Sequence, residues 1–172
     1  GMYEFFPEYA EKKGLAQTRY MLKHVFLDAC SAELEAMASV LSRFAADVLV
    51  SDVAIFAPYF KSELGGPPSA LISFVPLALP SRDTAPYGLG IVPGDTWVGG
   101  IRNRLLNFIG HRILLQDVTH HANAIRCELG LAPFHKPFLR AMFELPDLVL
   151  CLTTPAFEYP RSDLPENVHF VG

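Results

Sequence analysis

Two short apolar runs separated by a segment of helical length constrain the fold of this chain most strongly. Residues 47–52 (DVLVSD) and 69–75 (SALISFV) have the composition of buried strands. Residues 54–64 between them have helical spacing. The helix ends at 65–68 (GGPP), because glycine supplies a left-handed cap and proline cannot continue a helix. The pattern predicts a right-handed βαβ unit whose first strand is buried on both faces.

The rest of the chain repeats these two kinds of pattern. Apolar residues three and four positions apart predict a long helix over 20–44, another over 101–129 and a short one over 136–143. Apolar runs at 146–153 and 167–172 predict two more strands. We therefore expect an α/β fold, a partial Rossmann-like layered domain with a mostly parallel sheet of about four strands flanked by helices.

Residues 76–100 have a different character, rich in proline and glycine and without any periodicity. They are predicted to form a long loop, which is uncommon in a compact domain and usually functional or mobile.

Composition excludes several classes of function. A length of 172 residues suits one domain, and a net charge of −4 without a basic cluster argues against nucleic-acid binding. Three cysteines without regular spacing favour a reducing compartment, so we expect a cytoplasmic protein. The apolar runs are too short to predict a membrane span.

The histidine spacing predicts no metal site. His120 and His121 are adjacent, so on a helix their side chains point about 100° apart and cannot bind one ion from the same face. His111 is distant from this pair, and no HExxH motif is present. His24 and His135 stand alone in the sequence.

A resemblance to known proteins rests on the order and spacing of several segments: 46–52 (ADVLVSD), 64–69 (LGGPPS), 79–90, 102–107 (RNRLLN), 129–133 (LGLAP), 146–150 (PDLVL), 154–158 and 164–172. Together they resemble UDP-glycosyltransferases and the bacterial macrolide-type glycosyltransferases of the GT-B fold. The resemblance implies that residues 1–172 are a single incomplete domain, the C-terminal half of the acceptor-binding domain. It also implies that 76–100 is the acceptor-side loop.

The resemblance further implies hexosyl transfer from a nucleotide sugar, a UDP- or TDP-sugar, to a small hydrophobic acceptor, without any other cofactor. In that family a histidine removes the acceptor proton, and a carboxylate after the strand matching 46–52 orients it. Asp52 matches this carboxylate, although an aspartate there could simply cap the next helix. No residue here matches the histidine or the donor-binding domain. We therefore expect the chain to be inactive alone, and whether it acts as an enzyme stays open.

Five residues are candidates for binding the acceptor. Ser73 and Phe74 end the second predicted strand, and Tyr87, Trp97 and Phe108 surround the long loop. Aromatic walls suit an apolar acceptor. Ordinary strand-end packing, or anchoring of the loop in the core, explains the same residues without a ligand.

Two other functions remain open. The chain could be a non-catalytic small-molecule-binding or regulatory module derived from this family. It could also be an unrelated flavodoxin-like or hydrolase-like domain, although no phosphate loop or nucleophile elbow supports that reading. A partial sheet exposes an apolar edge, so we expect a homodimer formed through that edge or through the core.

Overall fold

The computed structural model describes residues 2–93 and 96–172. Its centre is one sheet of four strands, β1 (Leu49–Asp52), β2 (Ser69–Ser73), β3 (Leu148–Cys151) and β4 (Val168–Phe170). The strands lie in the order β1-β2-β3-β4, and each neighbouring pair is parallel. The predicted α/β class and parallel sheet are confirmed.

The described ranges also contain eight α-helices and two π-helical segments. The helices are α1 (Met2–Phe5), α2 (Pro7–Glu11), α3 (Gly14–Tyr20), α4 (Cys30–Leu41), α5 (Ala57–Glu63), α6 (Trp97–Asn107), α7 (Gln116–Glu128) and α8 (Phe138–Glu144). The π-helical segments are Met21–Leu27 and Phe108–Leu114. In the part of the chain that the structure describes, none of the helices has the length and apolar character needed to cross a bilayer.

The two long predicted helices are each interrupted. The helix predicted over 20–44 contains the π-helical segment Met21–Leu27 before α4, and the one predicted over 101–129 is divided by Phe108–Leu114. The loop predicted over 76–100 is also shorter than expected, because α6 begins at Trp97. Thr96 caps this helix, since its side-chain oxygen accepts a hydrogen bond from the Gly99 amide at 3.2 Å.

The hydrophobic core lies on one face of the sheet. Leu71, Val149 and Val168 point to this face and are buried. The helix α5 packs on β1 and β2, and α4 packs on α5. The rings of Phe56 and Phe138 meet edge to face at 5.1 Å between centroids, which joins α5 and α8 in the same core.

The opposite face of the sheet is apolar and only partly covered. In register, it carries the side chains of Val50, Ala70, Ile72, Leu148 and Leu150. Val50 is 55% exposed, and of these five only Ala70 is buried, apart from the main core cluster of the described residues. The prediction that the first strand is buried on both faces is therefore wrong. The described helices supply apolar side chains to one face of β1 only.

A buried arginine ties α7 to α5. Arg126 is 3% exposed, and its guanidinium bonds both carboxylate oxygens of Glu63, one of them at 2.9 Å. The same group lies 4.0 Å from the centre of the Phe134 ring and donates to the carbonyl oxygen of Ala132 at 2.7 Å. Paired charge and ring stacking together make this position specific for arginine.

Candidate functional site

The carboxyl ends of the parallel strands meet at one edge of the sheet. Asp52 ends β1 and Ser73 ends β2, and the amide of Leu152, just after β3, donates to the Ser73 carbonyl oxygen at 2.9 Å. Phe74 is 61% exposed and Leu152 is 51% exposed at this edge. In open parallel sheets ligands bind at this end of the strands. Asp52, Ser73 and Phe74 thus lie together at this end of the sheet.

Asp52 is half-buried and held by two hydrogen bonds. Its Oδ1 accepts from the amide of Ala54 at 2.8 Å, and its carbonyl oxygen accepts from the Tyr59 hydroxyl at 3.1 Å. The Ser51 hydroxyl lies 2.8 Å from the same tyrosine oxygen. Asp52 does not cap α5, because Phe56 is the residue before that helix. The carboxylate instead stabilises the turn that follows β1.

Glu33 of α4 is a second carboxyl group near this edge, and sequence reasoning missed it. The pKa of Glu33 is raised, first by burial and also by the negative charge of Asp52. A hydrogen bond from the Ala57 amide lowers this pKa, but not enough to reverse the shift. One carboxylate oxygen of Glu33 is buried without a hydrogen-bond partner among the described residues. No local pattern indicates this neighbour, because α4 and β1 are brought together only by packing on α5.

A cavity of about 510 Å³ opens beside the long loop. Its walls come from residues 76–91 and 157–161 and include Tyr87, Phe157 and Tyr159. Glu158 and Arg161 form a buried ion pair of 3.1 Å in the same wall. Both side chains hold the backbone of Leu77. Glu158 accepts a hydrogen bond from the Leu77 amide at 2.8 Å, and Arg161 donates one to the Leu77 carbonyl oxygen at 2.8 Å. The cavity is therefore framed by ordered backbone.

Two asparagines of α6 hold the loop in place, and sequence reasoning missed their role. Asn103 is fully buried and donates to the carbonyl oxygen of Asp83 at 2.7 Å. Asn107 reaches the carbonyl oxygens of Ser81 at 2.9 Å and Thr84 at 2.6 Å. Two asparagines four positions apart on a helix share a face, which is the one available sequence signal.

Only one of the five predicted acceptor residues lines this cavity in the described part of the chain, namely Tyr87. Ser73 is buried, and its hydroxyl donates to the carbonyl oxygen of Val75 at 3.2 Å. Trp97 and Phe108 are 77% and 57% exposed, on α6 and on the π-helical segment after it. Neither is a buried loop anchor, and neither shares the cavity with Tyr87.

The structure also gives His24 partners that its sequence position did not indicate. His24 and His121 both hydrogen-bond to the carboxylate of Asp28, at 2.8 Å and 2.6 Å. The adjacent His120 instead lies 3.3 Å from the side-chain nitrogen of Gln116. Of the two neighbouring histidines, only His121 faces His24.

No protein-family model matches the chain. The chain is 36% identical over 169 residues to 4'-demethylrebeccamycin synthase of Lentzea aerocolonigenes, which covers 98% of the chain and 40% of that protein. It is 31% identical over 159 residues to UDP-glycosyltransferase 2 of Phaeomoniella chlamydospora, covering 88% of the chain and 35% of the relative. A match of 107 residues at 32% identity to the UDP-glucosyltransferase avaP of Aspergillus versicolor covers 59% of the chain and 23% of that protein.

The chain thus spans at most 40% of the length of these relatives. Two of these relatives are named as a UDP-glycosyltransferase and a UDP-glucosyltransferase, and the third is named as a synthase. The chain is a homologue of glycosyltransferases over part of their length, as the sequence resemblance predicted.

Proposed function

We propose that this chain forms part of the acceptor-binding domain of a GT-B glycosyltransferase that moves a hexosyl group from a UDP- or TDP-sugar to a small apolar acceptor. The observation that carries the proposal is the similarity to a glycosyltransferase relative over 98% of the chain. The nucleotide sugar is a co-substrate, and no other cofactor is needed. Residues outside this chain would supply the donor site and the base.

Asp52 is proposed to orient that base. An acceptor oxygen that attacks the anomeric carbon must lose its proton, and a histidine near its ordinary pKa can accept it. A carboxylate behind the imidazole fixes its tautomer and stabilises the imidazolium that forms. Two features support this role for Asp52: its position at the carboxyl end of β1 and the hydrogen bonds that restrain it.

The acceptor is proposed to bind between the sheet edge and the long loop. Phe74 at the edge and Tyr87 in the cavity wall offer apolar surface, while Ser73 contributes to the shape of the edge. Trp97 and Phe108, exposed on the neighbouring helical stretch, are proposed to contact the outer part of the acceptor.

Binding can be measured on the chain itself by calorimetric titration with a panel of planar aromatic alcohols and phenols. Tyr87→Ala should weaken binding about tenfold, because a ring in a pocket wall contributes on the order of 1–2 kcal/mol. Phe44→Ala is the control, since Phe44 is 66% exposed and lies on the N-terminal side of β1. Equal weakening by both variants, or no binding by the wild type, would contradict this site.

Transfer is tested separately. The chain alone, supplied with UDP-glucose or TDP-glucose and an acceptor that it binds, should give no product above a protein-free control. Rejoined to a donor domain and a base-bearing segment from a homologous enzyme, it should transfer, and Asp52→Asn should lower kcat by at least about a hundredfold. Asp47→Asn, at an exposed position before β1, should retain activity. Turnover by the chain alone would show that the predicted inactivity is wrong.

A non-catalytic binding module is the second candidate function. It is favoured by the cavity of about 510 Å³, whose wall includes Tyr87 and the backbone of Leu77, held by Glu158 and Arg161. Such a module binds the aromatic panel with normal affinity yet shows no transfer after fusion to a donor domain and a base-bearing segment. That combination of results would favour this alternative over the catalytic one.

A homodimer through the exposed side of the sheet is also proposed. The face with Val50, Ile72 and Leu150 is apolar, and β1 leaves a strand edge unpaired among the described residues. Light scattering should give twice the monomer mass of 19.0 kDa. Val50→Lys should shift the protein to the monomer, whereas Val92→Lys, at a loop position 68% exposed, should not. A stable wild-type monomer would contradict this proposal.

A cytoplasmic location is proposed from the cysteines. Cys127 is free and exposed, and Cys30 and Cys151 are free and buried. An exposed free thiol is more typical of a reducing compartment than of an oxidising one.

A further inference from the structure

Two helical segments that are far apart in the sequence place three potential metal ligands together. His24 lies in the π-helical segment Met21–Leu27, and Asp28 directly follows that segment. His121 lies on α7. Nδ1 of His24 is 2.8 Å from one oxygen of Asp28, and Nε2 of His121 is 2.6 Å from the other.

The three donor atoms converge closely enough to hold one ion. One ligand atom from each residue lies within 4.8 Å of the other two. Zinc binds imidazole nitrogen and carboxylate oxygen at about 2.0–2.2 Å, so ligand pairs on a tetrahedral ion stand roughly 3.3 Å apart. The two histidine–carboxylate contacts, at 2.8 Å and 2.6 Å, are shorter than that value, so an ion would separate each pair by about 0.5–0.7 Å.

We infer that His24, Asp28 and His121 form a zinc site in which water fills the fourth coordination position. Two imidazoles and one carboxylate are a ligand set suited to Zn²⁺, whereas Mg²⁺ and Ca²⁺ prefer oxygen ligands alone. The side chains are 39%, 45% and 29% exposed in that order, so an ion can enter from solvent and keep a bound water.

The surroundings suit a bound cation. The carboxylate of Asp28 presents one oxygen to each imidazole, so both histidines are already oriented toward it. The cations on the same stretch, Arg19 and Lys23, are both paired with Asp117, at 2.9 Å and 3.0 Å. Their charge is therefore partly neutralised beside the site. The Tyr20 ring packs on His24 at 4.8 Å and restrains it.

A bound ion would join the N-terminal helical stretch to α7. These segments already pack together and share the Asp117 ion pairs. An ion that binds the folded chain and not the unfolded one stabilises it in proportion to its affinity and concentration. The consequence is a zinc-dependent melting temperature, independent of any transfer activity.

The test uses the purified chain after dialysis against a chelator. Titration with ZnCl₂ by calorimetry should show one ion per chain, and Co²⁺ should produce visible absorption typical of low coordination number. His24→Ala and His121→Ala should each weaken zinc binding by at least about tenfold and abolish the zinc-induced rise in melting temperature. Asp28→Asn should also weaken binding.

His120→Ala is the matched control, because His120 neighbours His121 but contacts Gln116 instead. It should bind zinc as the wild type does. Two results would overturn the site: no saturable zinc binding to the wild type, or equal binding by His24→Ala, His121→Ala and the wild type. If His24→Ala fails to fold, the comparison of His121→Ala with His120→Ala on α7 decides the matter.

Discussion

The hydroxyl of Tyr59 donates a 3.1 Å hydrogen bond to the backbone carbonyl oxygen of Asp52. Tyr59 is 2% exposed, and burial, together with the nearby charge of Asp52, raises the pKa of its hydroxyl well above the ordinary range. The hydroxyl is therefore a neutral donor at every physiological pH. A buried side chain of α5 thus fixes the end of β1, where the proposed orienting carboxylate stands.

Replacement of Tyr59 by phenylalanine should destabilise the fold by about 1–2 kcal/mol. The change removes the bond to the carbonyl oxygen of Asp52 and the acceptor of the Ser51 hydroxyl, and the loss of hydrogen bonds made by a buried hydroxyl costs roughly that amount. Urea unfolding followed by circular dichroism measures the difference. Tyr159→Phe, at a position 50% exposed, should change the unfolding free energy by less than about 0.5 kcal/mol.

Asn103 should control the order of the long loop. Asn103→Leu removes the bond to Asp83 and the acceptor for Arg102, so local opening should become easier by about 1 kcal/mol. Limited trypsin digestion should then cut after the exposed Arg82 about fivefold faster. Asn123→Leu breaks comparable bonds to Phe134, outside the loop, and should leave the rate of this cut nearly unchanged. Equal acceleration by both variants would mean that global unfolding exposes the loop.

His111 should make stability fall as the solution is acidified. It is 6% exposed, both ring nitrogens lack a partner among the described residues, and burial lowers its pKa from 6.5 to about 4. Between these values the unfolded chain binds a proton that the native chain does not, so stability is full above pH 6.5 and declines below it. The slope is about 1.4 kcal/mol per pH unit, as an upper limit.

The variant His111→Gln should have a flatter dependence of unfolding free energy on pH between 6.5 and 4.5. His169→Gln serves as the comparison, because His169 is exposed on β4 and should leave the slope as in the wild type. Carboxylates with lowered pKa values, such as Asp117 and Glu144, contribute at more acidic pH. Glu33, whose pKa is raised, opposes the His111 effect within the window, but it does so equally in the wild type and both variants. A wild-type slope in His111→Gln would refute the assignment.

One thiol of the native protein should react quickly with a disulfide reagent at pH 8. Cys127 is exposed, whereas burial raises the pKa of Cys30 to about 12 and that of Cys151 above its ordinary value. Thiolates are the reactive form. Burial therefore slows the reaction of Cys30 and Cys151 in two ways, because it limits access of the reagent and keeps these thiols protonated. Absorbance should report one fast equivalent in the native state and three in denaturant, and Cys127→Ser should remove the fast phase. A second fast equivalent in the native protein would contradict the structure.

The local sequence determined the strands, the α/β class and the position of Asp52. Short apolar runs next to glycine and proline predict strands from only a few neighbouring residues. The runs 47–52 and 69–75 contain β1 and β2, and Asp52 is the last residue of β1. Sequence similarity extends this to the family. Periodicity did not reveal the π-helical interruptions, because they differ from an α-helix in their i→i+5 hydrogen bonds, which a run of only seven residues does not show in its apolar spacing.

Only the tertiary structure decided which distant side chains meet. Burial of β1 depends on whether a layer covers both faces of the sheet, and Val50 shows that one face is open, which an apolar run cannot reveal. His24 and Asp28 meet His121, which lies 93 positions after Asp28 in the chain. Asn103 reaches Asp83 from the next helix. These contacts arise from packing of helices against one another, and helix packing depends on all the surfaces together and not on spacing within one segment.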